Sequence, residues 1–277
     1  EWLSARRLFL GASEVAAVIG CDPHRSPLDV WATKILPPLP DRETPATQAG
    51  HIFEPAALQL YSIRTGRAVT AGQWTQGPEH WIGCTPDGRD PEPVQVKMGG
   101  RWMAHDWGRD GDPDGVPVHY LPQIQWEMLC TGARHGHFIA GFDMTDFRIY
   151  RVERDEALLA VVLDYCRDWW RDYVEPRDPS HWPDGNDAEV IRRAIVAMYP
   201  RNVRAVREAT PGEVELVHAY GSARADVKAA EEAKAKAGND LALAIGDGDG
   251  WVGEWGVATW KANKKGTRSV YVKIKGE

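Results

Sequence analysis

A chain of 277 residues with ordinary hydrophobic (43%) and charged (26%) fractions can bury a full core and hold one large domain with an appendage, or two domains. Its net charge of −7 argues against a protein that coats nucleic acid by bulk electrostatics, and no apolar run approaches the ~20 residues of a membrane span. Cys21, Cys84, Cys130 and Cys166 are scattered without metal-knuckle or redox spacing, so they read as reduced thiols of a cytoplasmic protein. Glu1 is not a start methionine and no secretory leader is visible, so the numbering is expected to begin inside a longer chain or after processing. The acid excess is uneven: residues 1–185 hold 18 basic and 27 acidic side chains, and residues 186–277 hold 15 and 13. A narrow basic track for nucleic acid remains compatible with that balance.

In chain order, Ser13 reads as the N-cap of a helix over 14–19 closed by Gly20. Ser26-Pro27 caps a second helix over 28–35, with proline at the first helical position. After a proline-rich loop, a third helix runs from about Thr47 to Gly66. Phe53, Ala57, Leu60 and the stem of Arg64 share one face of it. Residues 68–75, 81–85 and 93–98 read as successive antiparallel strands. The stretch 99–118 is a long loop carrying Trp102 and Trp107, both candidates for base stacking as well as for the core. A helix over 120–131 ends before Gly132. Strands over 137–142 and 147–152 follow, joined across 143–146, and then a helix over 155–174 with Leu158, Val162, Tyr165 and Trp169 on its apolar face. This order describes an α/β core with a mixed central sheet flanked by helices. Beyond about Pro183 the composition shifts, giving a first domain of residues 1–183 and an extension of residues 184–277. The extension holds helices over 188–199 and 213–237, then a small antiparallel hairpin within 251–275. Six basic and no acidic residues lie between Lys261 and Lys275, a solvated face or a contact to DNA or a partner.

The chemistry concentrates at one place. Asp87-Gly88 forms a turn shortly before Val94-Gln95-Val96-Lys97. Strand side chains alternate, so Gln95 and Lys97 share one face while Val94, Val96 and Met98 point to the core. Folding the strand over 81–85 back across the turn would set Asp87 beside that polar pair. A carboxylate, an amide oxygen and an ammonium group would then converge on a volume suited to hydrated magnesium and a phosphodiester, the alternative being a surface hairpin that meets only water. Glu54 could reach such a site from its helix. Gln123 and Gln125 either orient phosphate or form a polar helix face. His135-Gly136-His137 has no cysteine or carboxylate at zinc-ligand spacing and reads as a turn entering a strand.

The order of several stretches carries a resemblance. Glu1-Trp2-Leu3 with Arg6-Arg7, Gly11 to Gly20, Ser26-Pro27-Leu28 with Trp31 and Lys34, and Gly50-His51-Ile52-Phe53-Glu54-Pro55 form its first half. Thr85-Pro86-Asp87-Gly88, Gln95-Val96-Lys97, and Val116-Pro117 through Tyr120 into Gln123-Ile124-Gln125 form its second. Together these resemble the YqaJ-like viral recombinase family, the phage lambda exonuclease family, within the PD-(D/E)XK nuclease superfamily. The resemblance ends near Val152.

It implies a PD-(D/E)XK nuclease-like core and a metal-dependent deoxyribonuclease, a 5′→3′ exonuclease on double-stranded DNA ends in phage-type recombination. By resemblance, Asp87, Gln95, the Val96 carbonyl and Glu54 would hold Mg²⁺, for which Mn²⁺ could substitute. Lys97 would position or deprotonate the attacking water, and Gln123 would sit beside the scissile phosphate. Arg6, Ser13 and Thr85 would hold a terminal 5′-phosphate. Relatives are often ring-shaped trimers working with a single-strand annealing protein, which implies a homo-oligomer in the cytoplasm of a phage-infected or bacterial cell. One departure stands out: the family has glutamate where this chain has Gln95. That keeps open a catalytically weakened DNA-end-binding module, and a structure-selective or nonspecific endonuclease of the same fold is the other alternative.

Overall fold

The computed structural model describes residues 6–38, 44–143, 145–185, 187–201, 206–262 and 266–276. The chain divides into two compact units, Glu1–Asn202 and Val203–Glu277. The first unit opens with a short strand β1 (Leu10–Gly11) running into helix α1 (Ala12–Val18). The cap of α1 is Gly11 rather than Ser13: Glu14, at the third helical position, turns its carboxylate back to accept from the Gly11 N–H at 2.8 Å. Helix α2 (Pro27–Ile35) has the expected Ser26 cap and Pro27 start, with Asp29 closing a capping box.

Helix α3 (Pro45–Thr65) buries Ala57, Leu58 and Tyr61, while Phe53 is 46% exposed. The apolar stripe is rotated from the expected one because α3 lies along the sheet face presented by Val94 and Ile139. Short strands β2 (Thr70–Ala71), β3 (Thr75–Gln76), β4 (Ile82–Cys84) and β5 (Gly88–Arg89) precede β6 (Pro93–Met98). The expected pairing of 81–85 with the Gln95 strand does not form. Instead, β4 pairs with β1 and β3, and the two residues of β5 make the antiparallel partner of β6. Helix α4 (Leu121–Thr131) ends on Gly132 in the left-handed conformation (φ 71°), and strands β7 (His135–Gly141) and β8 (Phe147–Glu153) follow as the sequence suggests.

The main sheet has the order β2-β5-β6-β7-β8, with β6 and β7 parallel and the other neighbours antiparallel. Alternation along β6 and β7 divides the molecule. Val94 and Ile139 face α3, whereas Phe138 and Ala140 pack with Ile124 and Met128 of α4. Gln95 and Lys97 lie opposite Phe138 and Ala140 in register, so they too face α4. Met98, expected in the core, is 37% exposed at the end of the strand.

Helix α5 (Glu156–Trp169) continues through one π turn, Trp170–Val174. It buries Leu159, Val162, Cys166 and Trp169; Tyr165 is 53% exposed, contrary to the expected face. Much of the tryptophan load is core: Trp81 stacks on Trp170 (5.7 Å) and contacts Trp126 (6.0 Å), amid Trp31 and Trp169. Trp107 is core as well, packed between Tyr120, Phe138, Phe142 and Tyr150, whereas Trp102 stays 72% exposed. Helix α6 (Ala188–Met198), grouped by composition with the extension, buries Val190 and Ala194 in the first unit's core.

The second unit contains α7 (Pro211–Ile245), capped by a Thr210–Glu213 box and longer than the expected 213–237. Three strands follow where one hairpin is expected: β9 (Gly250–Gly253), β10 (Gly256–Ala262) and β11 (Arg268–Ile274), in the order β11-β10-β9. Arg268 donates to the carbonyls of Gly246, Gly248 and Trp260, so this basic side chain holds the unit's own turn. Lys264 and Lys265 lie outside the described residues.

Candidate active site

The site grows from the point where β5 stops. Its two residues pair with Pro93 and Val94, and beyond them the edge of β6 turns to another partner. The Val96 N–H donates to Asp87 Oδ2 at 2.8 Å. A strand residue presents its N–H and C=O to the same side, so the Val96 carbonyl opens onto the edge where Asp87 sits. The Asp87 turn is held from behind, where the Gly72 N–H donates to the Asp87 carbonyl at 3.1 Å. This approach requires glycine, because a Cβ on Gly72 would stand 1.7 Å from the Pro86 carbonyl oxygen.

On the α4 side the polar groups form one network. Lys97 Nζ donates to Gln123 Oε1 (2.9 Å) and to Gln95 Oε1 (3.4 Å), and lies 5.1 Å from the Tyr120 ring centroid. Gln123 Nε2 donates to Gln95 Oε1 (2.8 Å) and to Glu127 Oε1 (3.2 Å). Gln95 is 1% exposed and Glu127 is fully buried. Gln95 Nε2 and Glu127 Oε2 have no hydrogen-bond partner. Buried polar atoms are almost always paired, so these two mark a place built for something further.

Across the cavity stand α1, α3 and the Thr85 turn. Arg6 donates to Ser13 Oγ at 3.4 Å and lies 3.9 Å from Glu14. Behind them, Lys34 Nζ, only 1% exposed, contacts Glu14 Oε2 at 2.6 Å and donates to the Arg6 carbonyl at 2.8 Å. Arg6, Ser13, Glu54, Thr85, Asp87, Gln95, Val96, Lys97, Gln123 and Glu127 all line one cavity of about 510 Å³. Thus every residue that the resemblance implies for metal, water or phosphate borders a single volume. Gln125 does not: it donates to the Glu153 carbonyl and accepts from the Asp155 N–H, pinning the start of α5.

Electrostatics follow from burial. Asp87 is pushed above the usual carboxylate range by desolvation, against the pull of Lys97, the Val96 N–H and His51. Glu54 moves the same way through burial and its neighbour Asp87. Glu127 is raised well above the ordinary value, first by burial and then by Cys84 and Asp87. Burial lowers Lys97, opposed by Asp87, Glu127 and Glu54. A cavity that raises its carboxylates and lowers its amine is one whose burial penalises every charge it holds. Its donors are carboxylate, amide and carbonyl oxygens, the set a hard divalent cation takes. The residues therefore fit such an ion.

A second acidic group needs separating from this one. Asp90, Glu92 and His137 bring ligand-type atoms within 4.8 Å of one another. Arg67 already lies against both carboxylates, at 2.6 Å from Asp90 and 2.8 Å from Glu92, and Glu92 also receives His135 and His137 at 2.9 Å. So the histidine pair does meet a carboxylate, 43 and 45 residues earlier in the chain. With a guanidinium in place, the group acts as an ion-paired clasp between the β5–β6 turn and β7.

Two functional-site features escape a reading of the sequence. Glu127 lies one helical turn after Gln123, a spacing that could have revealed it but that on most helices marks a solvated face. The Glu14–Lys34 pair joins residues 20 apart and has no local signature.

Residues 1–134 match the YqaJ-like viral recombinase domain. The uncharacterized protein YqaJ of Bacillus subtilis is 22% identical over 182 residues, covering 63% of this chain and 56% of that protein. Uncharacterized protein R354 of Acanthamoeba polyphaga mimivirus is 23% identical over 192 residues, covering 65% and 31%. The chain thus spans about half of one relative and a third of the other. Among solved structures, the alkaline exonuclease LHK-Exo of Laribacter hongkongensis superposes with a TM-score of 0.53 at 25% identity, over 64% of this chain and 93% of that one. The same enzyme in complex with dAMP gives 0.52 at 22% identity, with the same coverage. The fold is PD-(D/E)XK nuclease-like.

Proposed function

We propose that this chain, which carries a YqaJ-like viral recombinase domain, is a divalent-cation-dependent deoxyribonuclease. Its substrate would be the 5′-phosphorylated end of double-stranded DNA, digested 5′→3′ in phage-type recombination. The observation that supports this reading best is the shared cavity, in which Asp87, Gln95, Lys97 and Gln123 face Arg6, Ser13 and Thr85. A Mg²⁺ ion, or Mn²⁺ in its place, held by Asp87, Gln95 Oε1, the Val96 carbonyl and Glu54 would supply Lewis-acid polarisation of the phosphate and of water.

The chain's own groups do the rest. Lys97, anchored by two glutamine oxygens and lowered by burial, holds the attacking water and takes up or releases its proton at Nζ. Gln123 offers its amide N–H groups to the scissile phosphate once Gln95 Oε1 is engaged elsewhere. Arg6 gives a charged donor to a terminal phosphate, with Ser13 and Thr85 hydroxyls alongside. The Lys34–Glu14 pair fixes the backbone from which Arg6 reaches. We further assign the working form to a homo-oligomer, a trimer, acting with a single-strand annealing protein in the cytoplasm of a phage-infected or bacterial cell. No helix among the described residues is long and apolar enough to cross a membrane.

End-labelled linear duplex and a covalently closed circle, each incubated with Mg²⁺ or Mn²⁺ and with EDTA as control, test the proposal. It expects the 5′-phosphorylated linear duplex to release mononucleotides from its 5′ ends and leave single strand, while the circle stays whole. Cutting of the circle indicates an endonuclease of the same fold. Gln95 favours one second reading, a DNA-end-binding module, which predicts binding without cleavage under either metal.

A further inference from the structure

The site as read so far is one negative charge short. Asp87 and Glu54 are its carboxylates, and Gln95 contributes a neutral amide oxygen where the resemblance implies a glutamate. Hard cations are retained by the number and charge of their oxygen ligands. Glu127 lines the same cavity, from the α4 side. It is fully buried, its Oε1 accepts from Gln123 Nε2 at 3.2 Å, and its Oε2 has no partner. Lys97 does not neutralise it through a close ion pair, since Nζ is spent on Gln123 Oε1 and Gln95 Oε1. A carboxylate sealed from solvent with one oxygen unsatisfied is a costly arrangement until a proton or a cation completes it, and the cavity it borders has room for a cation.

We propose that Glu127 is the third carboxylate of the divalent-cation site, supplying from helix α4 the charge that Gln95 does not supply from strand β6. Gln95 is then no sign of a degraded centre. The Gln95 Nε2 atom is also without a partner and lies in the same network. This inference rests on the nuclease reading above and deepens its metal site.

The test is equilibrium Mn²⁺ binding to the full chain, followed by the loss of the free-ion electron paramagnetic resonance signal. It is run with and without a short 5′-phosphorylated duplex carrying non-hydrolysable linkages. Glu127→Gln is expected to weaken Mn²⁺ binding about tenfold or more, as Asp87→Asn does. The double variant Gln95→Glu/Glu127→Gln is expected to return affinity to within about threefold of the parent, because the charge has only changed elements. Glu127→Gln binding Mn²⁺ like the parent, while Asp87→Asn loses it, overturns the inference and leaves the nuclease reading standing. Parent protein that binds no Mn²⁺ even with duplex, or binds it unaffected by Asp87→Asn, overturns both. If Glu127→Gln fails to fold, the double variant decides alone: weak binding in a folded double variant counts against the exchange.

Discussion

At the scale of single residues, Lys97 is the group on which the proposed chemistry turns. It is anchored by Gln123 and Gln95 and lined up with Asp87, yet no core packing depends on its amine. Lys97→Ala is therefore expected to lower digestion by at least about 10²-fold with an unchanged circular dichroism spectrum. Retained activity in the folded variant would remove the residue from the mechanism. Gln95→Glu adds charge beside Asp87, so it is expected to raise Mg²⁺-dependent cleavage and to lower the Mg²⁺ concentration needed for half-maximal rate. An unchanged or lower rate at saturating metal would count against the role given to position 95. The Gln95–Lys97 pair was legible because strand alternation alone sets two polar side chains on one face. Glu127 was not, since a glutamate one turn from a glutamine looks like any polar helix face until burial is known.

At the scale of elements, the site depends on connections that hold short strands in place. Gly72→Ala forces a Cβ into the Pro86 carbonyl and should displace the Asp87 turn. We expect a lower melting temperature together with weaker Mn²⁺ binding, whereas a purely local loss of stability would spare the metal. The clasp of Glu92 with His137, His135 and Arg67 gives a pH signature. Burial alone would raise the Glu92 carboxyl, but its hydrogen bonds outweigh that and hold it down to about 2, against an ordinary 4.5. A depressed acid stabilises the fold fully above its unfolded value and loses that contribution as pH falls through the folded one. The melting-temperature gap between the parent and Glu92→Gln should thus be full at pH 6 and shrink between pH 4.5 and about 2. A constant gap would mean that the carboxylate's charge is not what matters. Helices with caps, such as α2 and α4, were readable because Ser26-Pro27 and Gly132 are local signals. The partner of β6 was not, because β5 is two residues long and its pairing is set by the sheet rather than by its sequence.

At the scale of the molecule, the acidic balance and the heavy tryptophan content pointed in different directions. Six of the thirteen tryptophans proved to be core: Trp31, Trp81, Trp107, Trp126, Trp169 and Trp170 are all buried. The charge implies something about substrate binding. With net charge −7 and few cations around the cavity, only two or three phosphates should be neutralised at a duplex end. The logarithm of affinity should then fall with the logarithm of salt with a slope of about −2 to −3. A slope near −8 would indicate an extended basic track instead, with the second unit's lysines the first place to look. The most direct test of the central claim is anomalous scattering from crystals soaked with Mn²⁺ and a short 5′-phosphorylated duplex. The account predicts a Mn²⁺ peak within coordination distance of Asp87, with the 5′-phosphate beside Arg6. A Mn²⁺ peak at Asp90, Glu92 and His137 instead, or none within reach of Asp87 while DNA is bound, would contradict it.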